Sequence, residues 1–458
     1  MRTAPLTLIL LYIVSSILLF FWGPLPWPVI NRFEVQAFLA LALTGITIGF
    51  LTGSSGKPAE SIFLHWRYIV IGGAVLSAIL LPISAYLYTG KMPWQIIEAL
   101  RDQNHAYEEF QRRLTQPHGS RTLISSARAL AYPVIFAVIP LGILHWRSMT
   151  AALWLAWSIT ALSSAILSVL RGTDREIFDL LMISCFTVLV AVARECVRRK
   201  LTISSLILSR RAMIATVVFV CLTAVATAAF VDRRIQRTGY SPAAYAAGTR
   251  DAPTIIAHIE KDNGWNDLMC IRAICTQRNH PLIEPLPIPA KYGVFMLTSY
   301  LTNGYYGLSL AMSEQDWNST RGLGHSQALM RIYEKLTGDT DLYKQSVTYG
   351  LRDKEWSDGA EWSTIFPWLA NDVGFWPGSL ILIAILAFIW GKSWVCAVWS
   401  NDDAAAIVFA FLVQLFVYLP ANNQLAQTLD AYFAFTAWLG LWAWRLRRQG
   451  NLSRLDSR

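Results

Sequence analysis

Residues 6–22 read LTLILLYIVSSILLFFW and contain no charged side chain. A stretch of this kind is close to the ~20 apolar residues that cross a bilayer as a helix. Similar apolar blocks recur along the 458-residue chain, flanked by the Trp, Tyr, Lys and Arg residues that favour membrane interfaces. The sequence therefore predicts an all-α, polytopic membrane protein, folded as a bundle of helices.

The composition agrees with this class. Hydrophobic residues make up 54% of the chain, charged residues only 15%, and the mean hydropathy is +0.39. A water-soluble chain of this length would instead spread its apolar residues in periodic patterns. The net charge of +9 then belongs to residues beside the membrane, and it predicts a lipid bilayer as partner and no nucleic acid.

The apolar blocks give about ten candidate spans. They are Leu6–Trp22, Val35–Leu51, Tyr68–Tyr88, Ile124–Leu144, Thr150–Leu170, Ile177–Ala193, Ala212–Val231, Phe375–Trp394, Ala404–Leu419 and Leu429–Trp444. Residues 1–231 thus hold seven spans, and an amphipathic pattern near residues 93–114 predicts a helix on the membrane surface. Residues 232–372 form one large, partly helical external loop. Residues 373–458 hold the last three spans and a cytoplasmic tail.

Orientation follows from the basic residues in short loops, which stay in the cytoplasm. They cluster within residues 194–211, after the sixth span, and within residues 445–448, after the tenth. Both termini are therefore expected in the cytoplasm, with residues 232–372 on the outer side. This predicts a multi-pass protein of the cytoplasmic (inner) membrane.

One polar stretch of the external loop, residues 299–338, contains a lone histidine after a glycine turn. It includes RGLGHSQALMRIYEKLTG from Arg321 to Gly338, in which apolar residues recur at helical spacing after His325. His325 and Ser326 are then expected at the N-terminus of a helix, a position that favours anions. The plainer alternative is a turn and a helix cap without chemistry.

A second polar cluster, RGTDREIFD from Arg171 to Asp179, follows the fifth span at the predicted outer face. On a helix, Arg171 and Arg175 would share one face and could clamp a phosphate or diphosphate from two sides. Asp174, Glu176 and Asp179 could hold them in place. The alternative is an interface cluster with internal salt bridges. Arg128, within the fourth span, leaves the same two possibilities open.

Aromatic residues are dense in the external loop, including Tyr305 and Trp362. They suit a carbohydrate-facing surface, although membrane interfaces collect Trp and Tyr for purely physical reasons. Cys270 and Cys275 lie in the same loop, where a disulfide between them is one possibility. A metal site is not expected, because the pair lacks enough further ligands at the usual spacing.

Together, about ten spans, a late external loop, arginines at an outer helix end and Gly324-His325-Ser326 before an amphipathic helix resemble two related families. These are the Wzy-type oligosaccharide repeat-unit polymerases and the WaaL-type O-antigen ligases. His325 and Ser326 match the start of the ligase loop motif, whereas the next glycine, Gly338, comes two positions late. The segment from Trp362 to Phe375 resembles the one by which such polymerases re-enter the membrane.

The resemblance implies a GT-C-like bundle and glycosyl transfer from a polyprenyl-diphosphate-linked oligosaccharide, without cofactor or metal. Fixed cations would stabilise the leaving diphosphate, with Arg171 and Arg175 first and Arg321, Arg128 and Arg121 as further contacts. His325 would be the general base, with Asp372 or Glu361 as alternatives. Asp174, Tyr305, Trp362 and Asp372 complete the expected substrate-binding set. A chain-length regulator is left open as a second partner.

Three alternatives to a polymerase remain at this stage. A ligase-like enzyme would transfer the glycan to another acceptor. A transporter or flippase of lipid-linked sugars would move the substrate intact, although neither a charged central span nor an internal duplication is found. A membrane-anchored binding protein would tolerate substitution of His325, Arg171 and Arg175.

Overall fold

The computed structural model describes residues 1–58, 64–115, 119–200, 270–271, 274–277, 280–286, 288–314, 317–356 and 361–455. This part of the chain is helical apart from one short antiparallel hairpin. The α-helices are α1 (Ala4–Trp22), α2 (Arg32–Ser55), α3 (Trp66–Thr89), α4 (Ile96–Arg101), α5 (Gln103–Thr115), α6 (Gly119–Leu144), α7 (Ala151–Leu170), α8 (Arg175–Arg199), α9 (Ile288–Met312), α10 (Gln327–Thr337), α11 (Asp341–Lys344), α12 (Val347–Gly350), α13 (Ile365–Val373), α14 (Leu380–Trp399), α15 (Asp403–Val417), α16 (Gln424–Gln427) and α17 (Leu429–Leu455). Strands β1 (Cys270–Ile271) and β2 (Ile274–Cys275) form the hairpin, whose backbone register pairs Cys270 with Cys275.

Seven of the described helical stretches are long and apolar enough to cross a membrane. They are α1, α2, α3, α6 from Arg121 onward, α7, α8 and the continuous stretch Ile365–Trp399 that joins α13 to α14. This confirms a helical membrane bundle. The predicted seventh span, Ala212–Val231, lies outside the described residues, so the total of ten and the GT-C-like class stay predictions.

Helix α15, at the predicted ninth span, is a central helix rather than a long lipid-facing one. Its 15 residues rise only about 22 Å, less than the ~30 Å of hydrocarbon in a bilayer. Every residue from Asp403 to Phe416 is buried. The other helices therefore surround α15 and supply its contacts.

Helices α2 and α14 pack closely because glycines recur every fourth residue on α2. A Cβ atom on Gly49 would lie 2.2 Å from the carbonyl oxygen of Ala384, and one on Gly53 would lie 2.0 Å from that of Phe388. Small residues at this spacing let two membrane helices approach backbone to backbone. No side chain larger than hydrogen fits at these two positions while the helices keep their present separation.

Gly49→Leu should destabilise the bundle by on the order of 1–3 kcal/mol, because overpacking forces the two backbones apart. Unfolding of the purified protein in detergent should show a lowered midpoint. The matched control is Gly440→Leu on α17, where an added Cβ meets no atom within 4 Å. Equal midpoints for Gly49→Leu and the control would mean that this close approach does not stabilise the fold.

Helix α9 lies within the predicted external loop, yet it packs against the first transmembrane helix. The hydroxyls of Tyr305 and Ser16 are 2.8 Å apart, and Trp27 Nε1 donates to Thr302 Oγ1 at 2.8 Å. A Cβ on Gly304 would lie 1.9 Å from the carbonyl oxygen of Pro420. This part of the loop is therefore a structural member of the bundle.

The predicted surface helix near residues 93–114 is two helices, α4 and α5, separated at Asp102 and preceded by a 3-10 turn. Ala99 and Ala106 are fully or almost fully buried in one apolar cluster with Leu167 and Leu170 at the end of α7. Because the helix breaks at Asp102, α4 and α5 can each pack an alanine against this end of the bundle.

One end of the bundle is the end at which α8 finishes and α15 begins. There Arg194 binds Asp403 Oδ1 at 3.0 Å and the carbonyl oxygen of Ala397 at 2.7 Å, and His145 Nε2 lies 2.7 Å from Asp403 Oδ2. Arg2 donates to the carbonyl oxygen of Ser54 at the same end. Since α15 runs from Asp403 towards the polar loops, the His325 region lies at the opposite end.

Candidate active site

The predicted helix after His325 is present as α10. Ser326 caps it, since its side chain accepts from the backbone N–H of Leu329 at 3.3 Å. Gly338 ends the helix with φ of 74°, a conformation that suits glycine. His325 therefore lies immediately before a capped helix, at the end of the turn formed by residues 320–325.

The carboxylate of Asp372 organises this turn. Its Oδ1 accepts from the backbone N–H groups of Gly322 and Gly324, both at 2.9 Å, and from Thr320 Oγ1 at 2.5 Å. Its Oδ2 accepts from the backbone N–H of His325 at 2.9 Å and lies 3.0 Å from His325 Nδ1. Asp372 stands near the C-terminus of α13, where the helix dipole disfavours an anion, and these donors compensate for that position.

The same contact fixes the tautomer of His325. An ionised carboxylate can only accept, so Nδ1 carries the hydrogen and Nε2 presents its lone pair. The hydroxyl of Tyr432 lies 3.2 Å from Nε2 and is placed to donate to it. The side chain of His325 is 29% exposed, whereas that of Asp372 is only 7% exposed. His325 thus has the arrangement of a general base, with Asp372 as the residue that orients it.

Neighbouring polar residues hold the turn against the bundle. Asn371 donates to the carbonyl oxygen of Gly324 at 2.9 Å, and Asn423 donates to that of His325 at 2.8 Å. Ser326 Oγ donates to the carbonyl oxygen of Ala426 at 2.8 Å. Because these partners come from α13 and from the segment around α16, the position of the imidazole is set from two sides.

The prediction that Arg171 and Arg175 share one helical face is wrong. Arg171 follows the last residue of α7, and Arg175 is the first residue of α8. Gly172, at φ of 62°, breaks the helix between them, and a Cβ there would lie 2.7 Å from the carbonyl oxygen of Gln103. The turn therefore needs glycine, and it places Glu176 where the charges of both arginines act on it.

Arg171 is the more enclosed of the two arginines. Its Nη1 lies 2.7 Å from Glu176 Oε1, and its guanidinium carbon lies 4.9 Å from the ring centre of Tyr88 and 5.3 Å from that of Phe110. Burial lowers the pKa of Arg171, an effect that the charge of Glu176 opposes. Its guanidinium stays charged at any physiological pH.

Arg175 is the more open arginine, with 42% of its side chain exposed. Its Nε lies 3.8 Å from Asp179 Oδ2, and Asp179 also accepts from the hydroxyl of Tyr418 at 2.8 Å. With its amide oriented to satisfy both ends, Gln424 accepts from the Arg175 guanidinium. Gln424 follows Asn423 in the chain, so Arg175 is linked to the carbonyl of His325 through two adjacent residues.

Arg128 connects the arginine cluster to the residues around His325. Its Nη2 lies 3.0 Å from Asp430 Oδ2, and its guanidinium carbon lies 6.0 Å from the centre of the Tyr88 ring that Arg171 also faces. Asp430 stands two residues before Tyr432 on α17. The first turn of α17 thus touches both an arginine and the imidazole of His325.

Other predicted residues lie at varied distances from this centre. Arg121 Nε donates to the carbonyl oxygen of Leu87 at 3.2 Å, near the end of α3. Arg321 lies exposed in the turn before His325, with φ of 59°. Asp174 directly precedes α8, beside Arg175.

Two predicted aromatic contacts belong to the packing of α9. Tyr305 is fully buried, with its hydroxyl bonded to Ser16, so the prediction that it binds substrate is inconsistent with its position. Trp362 packs edge-on against Tyr300, with ring centres 5.0 Å apart, and its carbonyl oxygen accepts from Trp356 Nε1 at 2.9 Å. Both residues therefore contribute to the packing of α9.

Three residues of the site carried no signal in the sequence, and a fourth, Asn371, carried a weak one. Tyr432 lies inside a predicted span, and Asn371, Asn423 and Gln424 lie in short polar stretches beside spans. Only the polar pair formed by Asn371 and Asp372, just before an apolar block, could have indicated a buried hydrogen-bonding point. Within the described ranges, no group of three or more His, Cys, Asp or Glu residues is placed to hold a metal ion.

A scan against protein-family models gives no match to this chain, and searches of curated proteins and of solved structures give none either.

Proposed function

We propose that this protein polymerises polyprenyl-diphosphate-linked oligosaccharide repeat units by glycosyl transfer at the outer face of the cytoplasmic membrane. One observation carries the proposal. It is an imidazole oriented by Asp372 so that Nε2 carries the lone pair that can accept a proton, placed at the same end of the bundle as Arg128, Arg171 and Arg175. A base and fixed cations are the two elements that transfer from a lipid diphosphate requires.

The arginines serve the donor half of the reaction. Negative charge grows on the diphosphate as its bond to the anomeric carbon breaks, and cations already held in place stabilise that charge without reorganising. Glu176, Asp179 and Asp430 hold the three guanidinium groups in position. Arg175 is the expected first contact, because more of its side chain is exposed than that of Arg171 or Arg128.

His325 serves the acceptor half of the reaction. The acceptor hydroxyl of a second repeat unit attacks the anomeric carbon and loses its proton towards His325 Nε2. The bond between that carbon and the diphosphate oxygen breaks, and polyprenyl diphosphate leaves with the electron pair. The carboxylate of Asp372 then stabilises the imidazolium that forms.

The membrane orientation is part of the proposal. We place the end of the bundle around Arg194 and Arg2 in the cytoplasm, because the basic clusters within residues 194–211 and 445–448 lie in short loops or tails, which stay there. The His325 turn then faces the outside, where lipid-linked glycans are extended. The polyprenyl chain lies among the lipid-facing helices, and a chain-length regulator is a candidate further partner.

Reconstitution of the purified protein in liposomes with one pure lipid-linked repeat unit tests the function. The expected product is a ladder of glycans longer than one repeat, and His325→Ala should make none. A ligase would lengthen a different acceptor and leave the repeat unit unpolymerised when it is supplied alone. An unextended repeat unit in the wild-type reaction would contradict polymerisation.

A transporter is the second candidate, and one observation favours it. The stretch Ile365–Trp399 is interrupted at Gly374–Ser379, where Trp376 is non-helical, directly after Asp372. Transporters bind substrates at such broken helices. A transporter would move the lipid-linked unit across the bilayer of the same liposomes and leave every glycosidic bond unchanged, so the product ladder separates the two candidates.

Arg175→Lys should reduce polymer formation by about tenfold or more, because lysine keeps the charge but loses the planar geometry that binds a diphosphate from two points. Arg171→Lys should have a similar effect. The matched control is Arg352→Lys, whose guanidinium packs on Tyr349 and Tyr343 outside the site. If both site variants give wild-type polymer yield and length, Arg171 and Arg175 only anchor the protein at the membrane interface and do not bind the diphosphate.

A further inference from the structure

The hydroxyl of Tyr432 occupies the place where a general base would receive its proton. It lies 3.2 Å from His325 Nε2, and the two ring centres are 5.6 Å apart. Nε2 has a single lone pair, which points at this hydroxyl once Asp372 has taken the hydrogen on Nδ1. An acceptor hydroxyl can therefore reach the imidazole only by displacing Tyr432 or by passing its proton through it.

The structure favours passage over displacement because displacement would break the hydrogen bond between Tyr432 Oη and His325 Nε2, and the backbone that carries the ring is fixed. Its backbone N–H bonds to the carbonyl oxygen of Thr428 at 3.1 Å, within the first turn of α17. The same turn is held by the ion pair between Asp430 and Arg128. Tyr432 remains partly exposed, so a substrate can reach this residue while the ring stays in place.

We infer that Tyr432 relays the proton between the acceptor hydroxyl and His325, an inference that rests on the proposed glycosyl transfer. As the acceptor oxygen bonds to the anomeric carbon, its proton moves to Tyr432 Oη, and the original phenol proton moves to His325 Nε2. The bond to the diphosphate breaks and polyprenyl diphosphate leaves with the electron pair. Tyr432 is unchanged afterwards, and His325 carries the extra proton.

The relay also gives a reason for the ion pair on the same helical turn. Binding of a diphosphate near Arg128 acts on Asp430, which lies two residues before the relay tyrosine. The donor site and the proton path are thus built on one short piece of backbone. The phenol hydroxyl stays aligned with His325 Nε2 only while that turn of α17 keeps its position.

Tyr432→Phe tests the relay, since it keeps the ring and removes only the hydroxyl. Turnover should fall on the order of 10²-fold, the lower part of the range for general acid–base steps, with the KM for the lipid-linked donor unchanged. Tyr333→Phe is the matched control, because Tyr333 lies on α10 and its hydroxyl donates to Asp339 at 3.0 Å, away from the imidazole. It should retain wild-type turnover.

A second measurement separates a relay from simple positioning. Turnover is measured in mixtures of light and heavy water. For the wild-type protein, a plot of rate against the fraction of heavy water should curve below a straight line, because two protons move in the same step. Tyr432→Phe should give a straight line. A linear plot in the wild-type protein, or turnover in Tyr432→Phe equal to or above that of the wild type, would overturn the relay.

Failure of the relay differs from failure of the proposed function, in which the wild-type protein itself makes no glycan ladder. If His325→Gln is inactive while Tyr432→Phe works normally, His325 is the base and takes the proton directly. If both variants extend glycans at the wild-type rate, the assignment of the base is wrong as well.

Discussion

Asp372→Asn should lower polymer formation by about 10³–10⁴-fold, because the amide cannot hold His325 in the tautomer that frees Nε2. Asparagine also lacks the negative charge that stabilises the imidazolium. Its side chain is nearly isosteric with that of aspartate, and it still offers an acceptor to the N–H groups of Gly322 and Gly324. The variant should therefore insert and bind lipid-linked donor while its turnover is lost.

The control for Asp372 is Asp339→Asn, which changes a carboxylate just beyond the C-terminus of α10. The backbone N–H of Asp341 and the hydroxyl of Tyr333 lower the pKa of Asp339, so this carboxylate is also charged and hydrogen-bonded. Full turnover is expected from this control. Turnover of Asp372→Asn within threefold of the control would show that tautomer selection does not matter.

His325→Gln should reduce turnover by about 10²–10⁴-fold, the usual contribution of a general base. Glutamine is similar in length and can hydrogen-bond to Asp372 and Tyr432, but it cannot take a proton at any useful pH. Binding of the donor, which depends on Arg128, Arg171 and Arg175, should be retained. Binding and turnover can be measured on the same purified sample.

His280→Gln provides the matched histidine control, since His280 Nε2 lies 3.0 Å from the carbonyl oxygen of Trp22, outside the site. It should behave as the wild type does. Near-normal turnover in His325→Gln would mean that His325 only positions sugar. The base would then be sought among acids such as Glu361, because Asp372 is fully engaged with the turn.

The helical membrane class could be predicted from sequence because apolar length is a local property. Each long apolar block needs only its own residues to satisfy its backbone in lipid. The packing of α2 on α14 depends on two helices more than 300 residues apart in the chain. The spacing of Gly45, Gly49 and Gly53 is visible in the sequence, but the partner helix is not.

The helix start at His325 was predicted correctly for the same local reason. Ser326, the apolar residues after it and Gly338 lie within one short stretch and mark both ends of α10. The role of Asp372 could be proposed only through the resemblance, since 47 residues separate it from His325. Tyr432 is 107 residues from His325 and was missed.

The arginine pair shows how a local prediction fails. A spacing of four suggested one helical face, but Gly172 lies between the two residues and has a positive φ. The reason for that conformation is the close approach of α5 to the turn, a tertiary contact with no counterpart in the local pattern. The burial of Tyr305 against α1 could not be predicted either, because an aromatic residue suits a sugar-binding surface and a protein core equally well.

The most direct test of glycosyl transfer is the number of polyprenyl diphosphate molecules released for each repeat unit joined. The purified wild-type protein is supplied with one lipid-linked repeat unit in liposomes, and both products are counted by mass spectrometry. Glycosyl transfer at this site should release one polyprenyl diphosphate for each new glycosidic bond, and His325→Gln should release none. Lipid-linked units that stay intact, whether or not they cross the bilayer, would contradict it.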